Sequence, residues 1–191
     1  MNLVFFDKHP EVYAAYKHVL EEVPDTEFYQ GDFRSMPGYF DALVSPANSF
    51  GFMDGGIDLA YTQHFGKGIQ QKFQDYIKCL PNKELFVGGA VATMTEYDGK
   101  FGMIICAPTM RTPQRIGGTI NIFLAVRAAL RVAKNMNMKR VAFPGMGTGV
   151  GGVHALTCAK QALAAIRWIE DPPKYTTLEE YCKYEKMIRE L

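Results

Sequence analysis

The sequence predicts an α/β protein, built as a three-layer α/β/α sandwich around a mixed, mostly parallel central sheet. Short apolar runs of strand-like composition alternate with helical patterns along most of the 191 residues. Such alternation favours a mainly parallel sheet that is covered by helices on both faces. Two successive apolar runs with a turn between them predict a hairpin, and this length suits one domain.

Six runs have the apolar composition and the turn-bounded length of strands. They cover residues 3–6, 27–29, 41–45, 85–95, 101–107 and 140–143. The predicted turn Tyr97-Asp98-Gly99 joins the fourth run to the fifth, which makes these two strands the hairpin.

Apolar residues at helical spacing predict the helices. The first helix begins at Pro10, a residue favoured in the first turn, and the second covers residues 57–78 with a break at Gly66-Lys67-Gly68. Two more helices cover residues 119–136 and 154–168. Thr177 and Glu180 have the spacing of a capping box, which predicts a short terminal helix. Because Asp171-Pro172-Pro173 interrupts the pattern, we divide the chain into a domain of residues 1–170 and a helical extension of residues 171–191.

The composition narrows the classes of function. The chain has 21 basic and 20 acidic residues, a net charge of +1, which indicates no strong footprint for nucleic acid or for an anionic membrane. The four cysteines match no zinc spacing, and His64 has no metal-ligating side chain three or four residues after it, so we predict no metal. Met1 leads directly into a strand, with no signal peptide or membrane span, so we expect a cytoplasmic protein.

Two glycine-bearing loops are the main functional signal. The first loop, residues 46–56, follows the strand at 41–45, and the second loop, residues 144–152, follows the strand at 140–143. Each loop leads into a helix, whose N-terminal N–H groups suit phosphate oxygens. Because ligands bind at the carboxyl ends of parallel strands, we expect the two loops to line one cleft.

The residues in these loops predict a ligand with two linked phosphates and hydroxyl-bearing sugars. The first loop contributes the Asn48 amide and a glycine pair, and Asp58 lies in the first turn of the helix after it. The second loop contributes backbone donors at residues 147–152 and the Thr148 hydroxyl. Asp32, at the end of a strand, could accept a hydrogen bond from the amino group of a base.

These motifs resemble those of the macrodomain family of ADP-ribose-binding modules. Gly31-Asp32-Phe33 is similar to the family's Gly-Asp-Ile-Thr, and Ser45-Pro46-Ala47-Asn48 to its Asn-Ala-Ala-Asn. Gly55-Gly56-Ile57-Asp58 resembles the end of its glycine run, and Gly147-Thr148-Gly149-Val150 resembles its second, diphosphate-binding loop. The interval from Asn48 to Asp58 equals that of the hydrolytic MacroD-type branch. The resemblance spans residues 3–168.

The resemblance implies that residues 1–170 bind ADP-ribose and hydrolyse ADP-ribosyl linkages at the distal ribose, with no cofactor. It implies catalytic roles for Asn48, which would hold a distal-ribose hydroxyl and a water, and for Asp58, which would steer or deprotonate that water. The partner is ADP-ribose or an ADP-ribosylated substrate. The ligand-binding residues that it implies are Asp32, Phe33, Ala47, Asn48, Gly55, Gly56, Ile57, Gly147, Thr148, Gly149, Val150, Gly151 and Gly152.

The chain departs from the family pattern at several positions, and these leave alternatives open. Met53 and Asp54 replace glycines, Thr62 replaces a common His, and Gly151 replaces an aromatic residue that packs against the distal ribose, a role that Phe50 or Phe52 could take. The functional alternatives are a non-catalytic ADP-ribose reader and a phosphatase acting on ADP-ribose 1″-phosphate. A Rossmann-type dehydrogenase is disfavoured because the glycine fingerprint lies late in the chain.

Four of the assigned side chains also have simpler interpretations. Asp32 could be an ordinary turn residue, and the Thr148 hydroxyl could only satisfy the backbone of its loop. Asn48 could hydrogen-bond only its own backbone, and Asp58 could only favour the helix dipole. The sequence leaves the acceptor, the oligomeric state and the role of residues 171–191 open. That segment could pack over the cleft or contact a partner.

Overall fold

A single mixed sheet forms the centre of the protein. A computed structural model describes residues 1–96 and 99–191, so the predicted turn at Tyr97-Asp98-Gly99 lies largely outside the described residues. The strand order is β2-β1-β6-β3-β5-β4, in which β4 is antiparallel to β5 and the other pairs are parallel. The strands are β1 (Asn2–Asp7), β2 (Thr26–Gln30), β3 (Phe40–Ser45), β4 (Val91–Met94), β5 (Phe101–Cys106) and β6 (Arg140–Phe143).

Helices cover both faces of the sheet, which confirms the predicted fold class. The helices are α1 (Pro10–Leu20), α2 (Gly56–Phe65), α3 (Gly68–Cys79), α4 (Asn121–Asn135), α5 (Ala155–Glu170) and α6 (Leu178–Arg189). One apolar core lies between the sheet and helices α1, α4, α5 and α6, and the other lies between the sheet and α2 and α3. Phe5 of β1 faces the first core and Phe6 faces the second. A strand buried on both faces is therefore apolar without a gap.

Two predicted elements differ in detail from the structure. The helix predicted at 57–78 is interrupted at the expected glycine, because Gly66 adopts a positive φ of 84° and ends α2. The strand predicted at 85–95 is too long, since only Val91–Met94 pairs with β5. Upstream, Gly88 has a φ of 96°, and the Leu85 N–H donates to Ser49 instead of to a strand. Gly88 therefore interrupts the extended backbone, and the apolar residues at the start of the predicted run stay outside the strand.

The C-terminal segment packs on the face formed by α4 and α5. The predicted capping box is present, with the Thr177 hydroxyl accepting from the Glu180 N–H and the Glu180 carboxylate accepting from the Thr177 N–H. Tyr184 contacts Trp168 with ring centroids 5.0 Å apart, and Ile188 is buried in the first core. The separation of residues 171–191 as an extension stays a prediction.

Gln161 joins three helices through one buried amide, of which 1% is exposed. Its carbonyl oxygen accepts from the Phe123 N–H in the first turn of α4 at 3.1 Å. Its amide nitrogen donates to the carbonyl of Thr119 at 2.8 Å and to that of Ile188 of α6 at 3.4 Å.

In the described part of the chain, no helix is long and apolar enough to span a membrane.

Replacing Gln161 with leucine is expected to lower the free energy of unfolding by about 2–3 kcal/mol. The change leaves a buried N–H and two carbonyl groups without their partner, and such losses are costly. Urea denaturation measures the effect. Gln63→Leu, on the exposed side of α2, is the matched control and should change stability by less than about 0.5 kcal/mol. Similar losses in both variants would contradict the structural role given to Gln161.

Candidate ligand-binding and catalytic site

The two glycine-bearing loops begin side by side. The strands that precede them, β3 and β6, are parallel neighbours near the middle of the sheet, with Ala42 opposite Val141 and Leu43 opposite Ala142. Parallel strands end at the same edge, so both loops leave the sheet at adjacent positions. This is the arrangement that a ligand held by both loops requires.

Hydrogen bonds hold the middle of the first loop in place, whereas the backbone N–H groups at its C-terminal end are left without an acceptor among the described residues. Met53 is buried; its N–H donates to the Gln70 side chain at 2.7 Å, and its carbonyl lies 3.0 Å from the Thr62 hydroxyl. Thr62, which stands where MacroD-type proteins commonly have a His, therefore ties this loop to α2. The backbone N–H groups of residues 54–58 have no protein acceptor in the described part of the chain. They form a donor row at the N-terminus of α2.

The second loop is braced from below by α1. The buried Tyr16 hydroxyl donates to the Pro144 carbonyl at 2.9 Å and accepts from the Met146 N–H at 3.3 Å. The N–H groups of residues 147–151 have no acceptor among the described residues. Gly149 and Val150 are exposed, whereas Gly147 and Gly151 are buried. The accessible donors therefore lie at residues 148–150, nearest the tip of the loop.

Asp58 is the most perturbed acid in this region. Only 8% of the residue is exposed, and its Oδ1 accepts a 2.7 Å hydrogen bond from the Ser45 hydroxyl. Burial raises the pKa of Asp58 to about 7, Ser45 opposes this rise, and the charge of Asp54 adds to it. A carboxylate with this pKa can exchange a proton near neutral pH, as a general base requires.

Other carboxylates surround the same end of the sheet. Tyr61 of α2 donates to the Val44 carbonyl at 3.1 Å. Its pKa is raised by burial first and then by the charges of Asp58, Asp32 and Asp7. The three carboxylates, which come from α2 and from the ends of β2 and β1, are therefore close enough to the Tyr61 hydroxyl to affect its pKa.

The Asn48 side chain is committed to its own loop. Its Oδ1 accepts from the N–H groups of Phe50 and Phe52 at 3.1 and 3.3 Å, and its Nδ2 donates to the Phe52 carbonyl at 2.8 Å. These bonds fold residues 49–53 into a compact turn, as Asn side chains commonly do. The simpler interpretation of Asn48 is therefore present in this structure. A ligand can take only the second N–H of Nδ2 without disturbing the turn.

Asp32 and Phe33 follow the end of β2, and the two residues differ in exposure: Asp32 is partly exposed, whereas Phe33 is buried. Asp32 accepts from the backbone N–H of Arg34 at 2.9 Å and forms a two-pronged ion pair with the Arg34 guanidinium, 2.7 Å at each oxygen. Hydrogen bonds from Arg34 lower the pKa of Asp32. Phe33 has no accessible surface and contacts Tyr61 in the second core. Phe33 is therefore not accessible to a ligand in this structure, and its contact with the ligand stays a prediction.

The remaining predicted residues divide by exposure. Gly55, Gly56 and Gly152 are exposed, Ile57 is partly buried, and Ala47 is buried beneath the first loop. Among the candidates for packing on a sugar, Phe52 is 51% exposed, whereas Phe50 lies under the Arg111 guanidinium at 5.0 Å from the ring centroid. The described residues contain no group of three His, Cys, Asp or Glu side chains suited to a metal.

Sequence reasoning missed three contributors to this site. Ser45 is the last residue of β3, and the motif alone does not predict its hydrogen bond to Asp58. A hydroxyl at the end of a strand that leads into an acidic residue could have indicated this bond. Tyr61 lies one helical turn after Asp58 and so faces the same side. Arg115 comes close to the second loop from a part of the chain more than thirty residues away, and no local pattern indicates that contact.

The macro domain family matches residues 44–162, more than half of the chain, and the chain therefore belongs to the macro domain family. An uncharacterized protein of Aquifex aeolicus is 38% identical over 130 residues, which cover 68% of this chain and 74% of that protein.

Solved macrodomains have a similar fold. The macrodomain of Mycobacterium tuberculosis DarG has a TM-score of 0.62 at 22% identity, over 74% of this chain and 90% of that one. The Oceanobacillus iheyensis macrodomain with ADP has a TM-score of 0.59 at 22% identity, over 78% and 83%. A mutant of that macrodomain with ADPR has a TM-score of 0.61 at 21% identity, over 82% and 88%.

The pKa of Asp58 makes stability depend on pH. Its folded-state value near 7 lies above the ordinary 3.8, so folding favours the protonated acid. This contribution is complete below about pH 4 and is lost as the pH rises through about 7. Asp58→Asn cannot ionise, so between pH 5 and pH 8 its free energy of unfolding should fall by roughly 2–3 kcal/mol less than that of the wild type.

Urea denaturation at the two pH values tests this expectation. Asp171→Asn, at an exposed position, serves as the control and should follow the wild type. If Asp58→Asn loses as much stability as the wild type over this range, Asp58 does not titrate between pH 5 and pH 8 in the folded protein, which contradicts a pKa near 7.

Proposed function

We propose that this protein binds ADP-ribose, with the diphosphate held between the two loops. The observation that carries the proposal is the pair of donor rows, residues 54–58 and residues 147–151, on loops that leave adjacent strands. Backbone N–H groups at a helix N-terminus, as in the first row, and in a glycine-rich loop, as in the second, are well suited to phosphate oxygens, and neither row has an acceptor among the described residues. Two rows of donors are better suited to a ligand with two linked phosphates than to a ligand with a single phosphate.

The comparisons add support at the level of the ligand class. A macrodomain with this fold was solved with ADP, and a mutant of it was solved with ADPR. For the adenine end, we propose that Asp32 accepts from the amino group of the base. A carboxylate has about four acceptor positions, so the backbone hydrogen bond and the two-pronged ion pair from Arg34 leave room for one further donor.

We propose further that the protein hydrolyses ADP-ribosyl linkages at the distal ribose. A water oxygen would attack the anomeric carbon, and the attacking water would lose a proton to Asp58. The acceptor would leave with the electrons of the broken bond and take a proton from solvent. Positive charge develops at the anomeric carbon during such a reaction, and the nearby diphosphate favours it. A base works best with a pKa near the working pH, and Asp58 meets this requirement.

In this proposal Asn48 has two tasks. Its Oδ1 and one N–H of its Nδ2 maintain the turn at residues 49–53. The second N–H of Nδ2 would donate to a distal-ribose hydroxyl. The hydrogen bonds of Asn48 within its own loop also favour a second candidate function, a reader that binds ADP-ribose without catalysing a reaction. An amide that is already hydrogen-bonded to the backbone contributes less to positioning a water.

Calorimetry with free ADP-ribose and a hydrolysis panel together test the proposal. The panel uses ADP-ribosylated protein, ADP-ribosylated nucleic acid and ADP-ribose 1″-phosphate. We expect Asp58→Ala to retain ADP-ribose binding and to lower turnover by about 10²–10⁴-fold, as loss of a general base commonly does. Asp171→Ala, at an exposed position outside the loops, is the control and should keep the wild-type rate.

The outcomes separate the candidates. Absence of ADP-ribose binding by the wild type contradicts the whole proposal. Binding without turnover of any substrate in the panel supports the reader. Turnover of the 1″-phosphate alone supports the phosphatase.

The rate of hydrolysis should also report the protonation of Asp58. Because the base must be ionised, kcat/KM is expected to rise with pH about a midpoint near 7. The Ser45 hydroxyl donates to the ionised carboxylate and lowers its pKa. Ser45→Ala should therefore move the midpoint to higher pH, reduce the rate at pH 7 and recover part of it above pH 8.

Ser49→Ala is the matched control, since the Ser49 hydroxyl is buried and has no partner among the described residues. Its pH midpoint should equal that of the wild type. A rate that does not depend on pH between 5 and 9 would remove Asp58 from the role of base.

A further inference from the structure

The segment that connects β5 to α4 contacts both loops, and we name residues 107–118 of it the bridging segment. At its start, the Thr109 N–H donates to the Ala47 carbonyl at 3.1 Å. The Ser49 N–H donates to the carbonyl of Met110 at 3.2 Å. These bonds attach the bridging segment to the first loop.

The other end of the bridging segment is attached to the second loop. The Ile116 N–H donates to the Gly151 carbonyl at 2.9 Å. A Cβ on Gly151 would lie 2.5 Å from the Gly147 carbonyl oxygen and 2.9 Å from the Ile116 side chain. Residue 151 therefore cannot carry the aromatic side chain that many related proteins have there. Ile116 packs on this side of the loop instead.

Two arginines of the bridging segment differ in how far they are committed. Arg111 forms an ion pair with Glu84 at 2.9 Å and stacks over Phe50, so its charge is neutralised and its position is set. Arg115 is exposed and has no ion pair or hydrogen bond within the described part of the chain. Its guanidinium lies directly against the backbone of Gly152, where a Cβ would overlap it.

The charges around the loops show what such an arginine can do. Asp54 and Asp58 lie beside the first donor row, and both repel an anionic ligand when they are ionised. The second donor row consists of backbone N–H groups alone. Arg115 brings an uncommitted positive charge to Gly152, the residue that follows this row. A guanidinium presents paired donors that match phosphate oxygens, and a charged hydrogen bond is stronger than a neutral one.

We propose that Arg115 binds a phosphate oxygen of the ligand's diphosphate, and that the bridging segment holds it at the second loop for this purpose. This inference rests on the proposed binding of ADP-ribose and adds a positively charged side chain to the two rows of backbone donors that would hold the diphosphate. Gly152 fits the same assignment, since a residue without a side chain is needed where the guanidinium lies.

Calorimetry on the full chain with ADP-ribose, ADP and adenosine tests the role of Arg115. Arg115→Gln removes the charge and keeps a polar side chain of similar length. We expect affinity for ADP-ribose and for ADP to fall about tenfold each, with affinity for adenosine unchanged. The affinity of the variant should also depend less on salt concentration than that of the wild type. Arg131→Gln, at an exposed position on α4, is the control and should match the wild type for all three ligands.

Each result is decisive. Equal affinities of Arg115→Gln and the wild type for ADP-ribose and ADP would overturn the inference while leaving the proposed function intact. An equal loss for adenosine would also overturn it, because that pattern indicates a disturbed loop. Absence of binding by the wild type would overturn the proposed function itself.

Discussion

The parallel pairing of β3 with β6 is the constraint on which the site depends. These two strands are far apart in the sequence, yet Ala42 lies opposite Val141 in the sheet. Because parallel strands end at one edge, the pairing brings two glycine-bearing loops together, each followed by a helix that begins there. Two uncommitted donor rows thus become one candidate binding surface. Tyr16 from α1 and Gln70 from α3 brace these loops from opposite faces of the sheet.

The two loops combine backbone N–H groups that suit an anion with acidic side chains whose negative charge repels an anion. Asp58 is buried with a pKa near 7, so it is only partly charged at neutral pH. This lowers the repulsion that a diphosphate would experience and leaves a base that can accept a proton. Ser45 moderates the shift by donating to the carboxylate. Stability and the proposed catalytic role are in conflict at this residue, because the ionised form that a general base requires is the form that burial disfavours.

Local patterns predicted most of the fold. Apolar runs bounded by turns predicted the six strands that the structure describes, and helical spacing predicted the helices. Gly66 indicated the end of α2, and Thr177 with Glu180 indicated the cap of α6. The strand at 85–95 was predicted too long because apolar composition alone does not distinguish a paired strand from a buried irregular segment. Gly88 and the hydrogen bond from Leu85 to the first loop decide that difference. The motifs named the candidate site residues, whose roles stay predictions, but the burial and the hydrogen bonds of these residues were not visible in the sequence.

The sequence by itself determined the order of elements, the two loops and the chemical character of Asn48 and Asp58, because these depend on residue type and short-range spacing. The tertiary structure decided which groups are free. It committed the Asn48 amide to its own turn, buried Phe33 in the core and brought Arg115 against Gly152. Each of these outcomes depends on burial or on contacts across the sheet edge. Such contacts form only when distant segments pack, so no local pattern records them.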